Sequence, residues 1–277
     1  MKNIFLSIAL GCVIAMTSCN SYNNVLKAED YDYRYEAAKE YFAAKQYSRC
    51  VQLFEIDNIV LTMKGTDHGE ESLMLLAMSY YNMGDYETAG TSFESYYKSY
   101  PKGTYTELAR YYAGMSAFKL SPDPRLDQTA TYAAISRLQE YLEYYPYSDK
   151  REEISDMIFQ LQNNLVEKEL ATVKLYYNLG TYIGNCQSSD GNNYEACIIT
   201  AENTLKSYPY TAHREELYIY ILRSRYRLAV NSVAYKAEER YREAIDEYYG
   251  FKNEFPDSKY MKEAEQIFRH CSGKVKS

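Results

Sequence analysis

Apolar side chains recur along this chain at helical spacing, in blocks that each stop at an aromatic-Pro pair. Ala89, Phe93 and Tyr97 precede Pro101; Ala134, Leu138 and Leu142 precede Pro146; Ala244, Tyr248 and Phe251 precede Pro256. Steps of three and four residues put each set on one side of a helix, so each block predicts a single buried stripe. Proline cannot continue a helix and biases the residue before it away from the helical region, which ends each stripe. The tracts "SYPKGTYTE" at Pro101, "YYPYSDKREE" at Pro146, "SYPYTAHREE" at Pro209 and "EFPDSKYMKE" at Pro256 are four copies of one stop-turn-start signal. Within them Thr104, Ser148 or Asp149, Thr211, and Asp257 or Ser258 can accept amide hydrogens of the next helix. Thr104 with Glu107, and Asp149 with Glu152, have capping-box spacing.

The pattern resembles the tetratricopeptide repeat, a helix pair of about 34 residues with small residues where its helices approach closely and a proline near its end. Counting back from Pro101 places Leu76, Ala77 and Tyr80 on a first helix and Ala89 and Phe93 on a second. The intervening "NMGDY" supplies Gly84 for a positive φ at the helix end. A weaker first copy reads Ala38, Tyr41, Cys50 and Phe54, with Thr62 where a proline belongs. Divergence of this kind is expected where a stack ends.

The prolines are 45, 63 and 47 residues apart, and the excess over 34 is informative. The first excess fits "SPDPRLDQT" (121–129) and the last fits residues 230–240, both inside a hairpin. Residues 149–179 contain neither Pro nor Gly, which predicts one helix about 45 Å long; a break near Asn163-Asn164 is the alternative. The expected fold is all-α: a right-handed α-solenoid of about five tetratricopeptide-like helix pairs over residues 32–270, with a concave face. Ala77, Ala89, Phe93, Ala134, Leu138, Ala244 and Tyr248 are its expected packing positions, and Pro101, Pro146, Pro209 and Pro256 its junctions.

The N-terminus carries a second signal. Lys2 precedes an apolar run at residues 4–15, and Met16-Thr17-Ser18-Cys19 sets small residues before a cysteine. This resembles a bacterial lipoprotein signal peptide. The resemblance implies removal of residues 1–18, a diacylglycerol on the Cys19 thiol and a further acyl chain on its amine, followed by a linker over 19–31; residues 271–277 form a tail. Several acyl chains anchor stably where one is marginal. An ordinary secretory peptide is the alternative, and the run is too short to span a membrane.

Composition narrows the partners. A net charge of −7 and a pI near 5.2 disfavour nucleic acid and anionic lipid surfaces, both of which need excess cations. The chain holds 34 Tyr, 9 Phe and no Trp, so many packing surfaces carry a hydroxyl suited to half-wet interfaces. Adjacent helical residues point about 100° apart, so each Tyr-Tyr pair is expected to place one ring between repeats and the other on a groove or rim. Cys50, Cys186, Cys197 and Cys271 show no metal-ligand spacing; Cys186 and Cys197 flank a turn and are either a disulfide or two thiols. His68, His213 and His270 lack the spacing of a catalytic or metal motif, and no phosphate loop or nucleophile elbow occurs. No catalytic residue, metal or cofactor is expected.

The signal sequence and linker, with "YETAGTSFESYYKSYP" (86–101), "YTELARYYAG" (105–114), residues 127–146, "LQNNLVEKELATVKLYYNLG" (161–180) and residues 194–209 in this order, resemble the BamD family of outer-membrane β-barrel assembly lipoproteins. The likeness spans about residues 33–265. It implies a non-catalytic scaffold on the periplasmic face of the outer membrane. Such a scaffold binds the periplasmic domains of the barrel-forming assembly protein through its C-terminal repeats, and C-terminal signals of unfolded outer-membrane proteins through its N-terminal repeats. Where the family often carries Asn-Arg, this chain has Ile199-Thr200; Arg223, Arg225, Tyr226 and Arg227 are the candidate replacement contact, unless they are only a solvated helix face. Two other readings are a periplasmic repeat lipoprotein coordinating cell-wall synthesis and a glycan-binding outer-surface lipoprotein. Absence of Trp weighs against the second.

Overall fold

The computed structural model describes residues 22–182 and 192–275. The signal peptide, the acylation site Cys19, and Cys186 of the possible disulfide lie outside these residues. Every regular element described is helical: α1 Tyr31–Ala43, α2 Tyr47–Glu55, α3 Ile59–Thr62, α4 Gly69–Met83, α5 Tyr86–Ser99, α6 Thr106–Lys119, α7 Thr129–Tyr144, α8 Arg151–Leu179, α9 Asn193–Ser207, α10 Arg214–Val230, α11 Ala234–Glu254 and α12 Met261–Ser272. They pair as α1/α2, α4/α5, α6/α7, α8/α9 and α10/α11, with α12 closing the series. The all-α helix-pair class is therefore as expected. The chain folds as two compact units, one reaching Ser121 and including Thr129–Ile154, the other made of Pro122–Gln128 and the residues from Ser155 onward.

The four proline tracts build the same six-residue junction each time. The aromatic residue before proline ends its helix by donating to the carbonyl four positions back: Tyr100 to Tyr96, Tyr145 to Tyr141, Tyr208 to Thr204 and Phe255 to Phe251, at 2.8–2.9 Å. Two β-turns follow. The residue two after proline donates to the residue before it, and the residue five after donates to the residue two after, at 3.0–3.3 Å throughout. Proline thus occupies the second position of a turn, where its fixed φ is favourable.

At three junctions the hydroxyl residue two after proline also accepts an amide: Lys150 N reaches Ser148 Oγ at 3.3 Å, His213 N reaches Thr211 Oγ1 at 3.2 Å and Tyr260 N reaches Ser258 Oγ at 2.9 Å. The duplicated "Pro-Tyr-Ser/Thr" to "Arg-Glu-Glu" tract has a further reason. Arg151 and Arg214 each return to donate 2.9 Å to the carbonyl of their own Pro146 or Pro209.

The Thr104–Glu107 capping box does not form. Thr104 gives its backbone amide to Glu70, and the Glu107 carboxylate instead accepts from Tyr141 and Ser148 at 2.8 Å. A carboxylate that satisfies two buried-edge hydroxyls gains more than one returning to a solvated amide.

The first unit is knit by tetratricopeptide-type packing. Ala38, Ala77, Ala89, Ala109 and Ala134 are 0% exposed, and Phe93 and Leu138 fill the spaces beside them. Small residues there let helices close up; a Cβ on Gly114 would stand 2.7 Å from Leu138 Cδ2. Gly84 takes φ 83° and ends α4, as expected. In four of the six Tyr-Tyr pairs, 80/81, 96/97, 111/112 and 248/249, the first tyrosine is buried and the second is not, whereas in 144/145 and 176/177 neither ring is fully buried, against expectation. The stripes accordingly run through Tyr96 and Tyr141, at 0% and 1% exposure, with Tyr97 and Leu142 half-buried at their margin.

In the second unit Ala201, Ala244 and Ala264 are fully buried, and Tyr248 and Phe251 pack with Ile267 and Cys271. Helix α8 is continuous through Asn163. That residue secures the fold instead of breaking it: its Nδ2 donates 3.0 Å to Phe159 O, while its Oδ1 accepts from Thr211 Oγ1 and Ala212 N at 2.8 and 3.0 Å. The extra length expected as an insertion over residues 230–240 lies mostly inside α11, which starts at Ala234. Its "AYKAEER" opening consists largely of good helix formers and holds no breaker. Cys197 is a buried thiol that accepts from Ser224 Oγ at 3.1 Å.

Candidate partner-binding grooves

Helix α10 carries arginines at 223, 225 and 227. Helical geometry sends residues 223, 226 and 227 to one side and residue 225 to the other. Arg223 forms a fork on Glu263 of α12, with Nε to Oε1 at 2.7 Å and Nη2 to Oε2 at 2.6 Å. Its plane lies over the rings of Tyr220 and Tyr260. The Glu263 bond raises its pKa further above the usual guanidinium range.

Arg225 faces the opposite way and joins three carboxylates, Glu202 at 2.8 Å, Glu247 at 3.0 Å and Glu243 at 3.5 Å. Burial raises the Glu247 carboxyl above its ordinary value, and Arg225 opposes that rise. Arg227 lines the groove beside Tyr177 of α8, whose phenol raises the Arg227 pKa as well.

Arg223, Tyr226 and Arg227 thus line one groove of about 290 Å³, together with Tyr177, Glu263, Gln266, Ile267 and His270. Residues 263, 266, 267 and 270 of α12 follow helical spacing, so two amphipathic faces meet there. Tyr226 and His270 contact edge-on with ring centroids 5.5 Å apart. Three of the four candidate contact residues therefore come together, and Arg225 does not join them.

The first unit has a second cavity, of about 320 Å³, that sequence reading missed. Where Thr62 replaces the junction proline, residues 56–68 form a longer wall instead of the six-residue turn. The wall begins with Asp57 and Asn58 at φ 58° and 50°, conformations that side-chain-bearing residues seldom adopt. Buried Arg34 fixes it by a 3.0 Å bond to Asp57, and Ile59 and Met63 root it in the core. At its far end Gly69 is required, because a Cβ there would lie 2.2 Å from Met63 O. Phe54, Leu73, Leu76 and Tyr100 give the cavity an apolar lining, with Lys64, Glu55 and Asn58 as its polar groups. The available signal was the pair Gly65 and Gly69 at the C-terminal end of a segment that departs from the repeat.

His68 stacks on Tyr35 with centroids 4.2 Å apart, a packing role. Among the described residues no His, Cys, Asp and Glu cluster could hold a metal, and no helix is long and apolar enough to cross a membrane.

The chain is similar to the outer membrane protein assembly factor BamD of Neisseria meningitidis serogroup B, with 23% identity over 95% of each chain. Among solved structures it is similar to the TPR2AB domain of yeast Sti1 in its pHSP90 complex, with 14% identity and a TM-score of 0.41, covering 87% of this chain and 98% of that one. A family model described as an outer membrane lipoprotein, YfiO, matches residues 27–187, more than half of the sequence. The chain belongs to the YfiO family of outer membrane lipoproteins.

Proposed function

We propose that this chain is a non-catalytic scaffold of the machinery that assembles β-barrel proteins in the outer membrane. The observation that carries this reading is its similarity, along nearly its whole length, to a BamD assembly factor. In this reading acyl chains on Cys19 hold the protein to the periplasmic face of the membrane. The α10–α12 groove, with Arg223, Tyr226 and Arg227, docks the periplasmic domains of the barrel-forming component. The cavity behind residues 56–68 takes the C-terminal segment of an unfolded outer-membrane protein: its apolar lining suits an aromatic side chain, and Lys64 suits a chain-terminal carboxylate. Cavities of this size and mixed lining are ordinary binding sites for one or two side chains.

Copurification from detergent-solubilised membranes tests the reading. The expected companion is a barrel protein bearing several small periplasmic domains, lost when residues after Pro209 are deleted and kept when only Lys64 is changed. Recovery of a peptidoglycan synthase in its place would overturn the assignment. Cys19→Ser should release the chain from the membrane fraction.

A further inference from the structure

The chain has little slack between Cys19 and the start of the fold. Residues 22–26 are helical, and Tyr22 and Val25 belong to the core of the α1/α2 pair, at 9% and 4% exposure. The Tyr22 hydroxyl donates 2.6 Å to Gln52 Oε1, its ring meets Tyr41 edge-on at 5.4 Å, and the Arg49 guanidinium lies 5.0 Å from the ring centroid. Tyr41 stands two residues before the end of α1 and Arg49 two after the start of α2, so Tyr22 is fixed beside the α1–α2 turn. Three peptide steps separate Cys19 from Tyr22, a reach of at most about 11 Å. The headgroup layer of one leaflet is itself about 5–8 Å thick. A chain acylated at Cys19 therefore cannot lift the α1–α2 turn far from the headgroups.

The first unit has two edges that it could present there. Antiparallel pairing puts the α1–α2 turn, the α4–α5 turn and the end of α6 on one edge, and the junctions after α2, α5 and α7 on the other, one helix length or about 20 Å away. The turn edge carries apolar side chains at each position: Phe42 and Tyr47, partly exposed with ring centroids 5.4 Å apart, Met83 at 48% exposure and Leu120 at 44%. Lys45 is exposed within the α1–α2 turn. Aromatic rings and a lysine whose stem lies along apolar surface are groups that settle at a membrane-water interface. A net charge of −7 gives no electrostatic pull toward an anionic surface, so the contact is with uncharged parts of the lipid interface.

We propose that the turn edge of the first unit lies against the lipid headgroups, with Phe42, Tyr47, Met83 and Leu120 as its contacts and the docked Tyr22 joining anchor to fold. The proposal rests on acylation of Cys19 in the reading above. It leaves the opposite edge, where residues 56–68 wall the cavity, turned away from the bilayer and open to an arriving polypeptide.

The chain holds no Trp, so a single introduced Trp reports its own position without background. The acylated mature protein is purified in detergent and reconstituted into phosphatidylcholine vesicles with or without bromine on the acyl chains. Phe42→Trp and Met83→Trp should each lose at least about half of their emission to the bromines, because an interfacial side chain sits about 5–10 Å into the headgroup-acyl boundary. Tyr147→Trp, at a 98% exposed position of the junction edge, should lose little. Tyr47→Trp takes the place of Phe42→Trp if the latter lowers the helical content seen by circular dichroism. Quenching at Tyr147→Trp equal to or greater than that at the turn-edge positions would overturn the orientation while leaving the anchor intact. A protein whose mass shows no acyl groups and that does not float with the vesicles would sink the acylation, and the proposed contact with it.

Discussion

The Tyr141 hydroxyl donates to Glu107 at 2.8 Å, tying the last turn of α7 to the first turn of α6. Tyr96 makes the equivalent bond to Glu70, closing the α4/α5 pair in the same way. Both tyrosines stand five residues before a junction proline, and both glutamates are the second residue of their helix. Tyr141→Phe keeps a ring that is 1% exposed and removes the hydroxyl with its bonds to Glu107 and Ser148. Glu107 retains the Ser148 hydroxyl, so the expected loss is about 1–2 kcal/mol in urea unfolding. A change near zero would mean that the phenol contributes nothing as a donor.

Phenol-carboxylate bonds are concentrated in the first unit, which makes alkaline pH a selective denaturant. Burial, followed by bonded carboxylates, raises the phenols of Tyr35, Tyr80, Tyr96 and Tyr111. Tyr141 is pushed up to about 12, again mainly by burial. A raised folded-state value contributes stability that is fully present below the unfolded phenol's pKa, about 10, and is lost as pH rises through the folded value. Tyr220 and Tyr241 of the second unit are raised by burial too, but that unit relies on guanidinium-carboxylate pairs, which keep their charges. Between about pH 10 and 12, methyl resonances of Ala89 and Ala134 should therefore disappear before that of Ala244. Simultaneous loss would show that the two units do not differ in this way.

Ala89 lies on α5, is fully buried and touches the close approach of the helix pair. Ala89→Leu inserts three carbons where the neighbours cannot retreat, for an expected cost of about 1–3 kcal/mol. Thermal denaturation checks it, with Thr91→Leu, on the exposed side of the same helix, as the substitution expected to change little.

The repeat was legible because proline, small residues and aromatics each leave a fixed mark: Pro101, Pro146, Pro209 and Pro256 punctuate the helices, and Ala77, Ala89, Ala134 and Ala244 mark the close contacts. Choosing between adjacent tyrosines was not possible by spacing, since Tyr96 and Tyr97 both fit a three-four pattern, and Glu70, which the buried Tyr96 bonds, lies 26 residues away. The groove was half legible. Arg223 and Arg227 share a helix face by sequence alone, but Glu263 lies 40 residues away, and no local pattern reports that it neutralises one arginine and not the other. The first-unit cavity was invisible because it arises where the repeat signal fails, in a wall held by Arg34 and Asp57.

Arg225 offers a test of its assignment to structure instead of recognition. Its three carboxylates come from α9 and α11, and Glu247, only 17% exposed, depends on it most. Arg225→Gln removes the cation and leaves that carboxylate with burial alone, so its pKa rises above the already raised value. A carboxyl whose folded pKa exceeds its unfolded one destabilises the fold as pH climbs through the folded value, because the charge must then be held inside. The variant should lose about 1–3 kcal/mol at pH 7.5, less than a fully enclosed pair because Arg225 is a quarter exposed. Relative to the unaltered protein the deficit should shrink at pH 4.5, where Glu247 is protonated. Adding Glu247→Gln should recover most of the loss at pH 7.5. A deficit independent of pH, or a double variant no better than the single one, would show that the arginine acts through packing of its aliphatic stem and not through the buried charge.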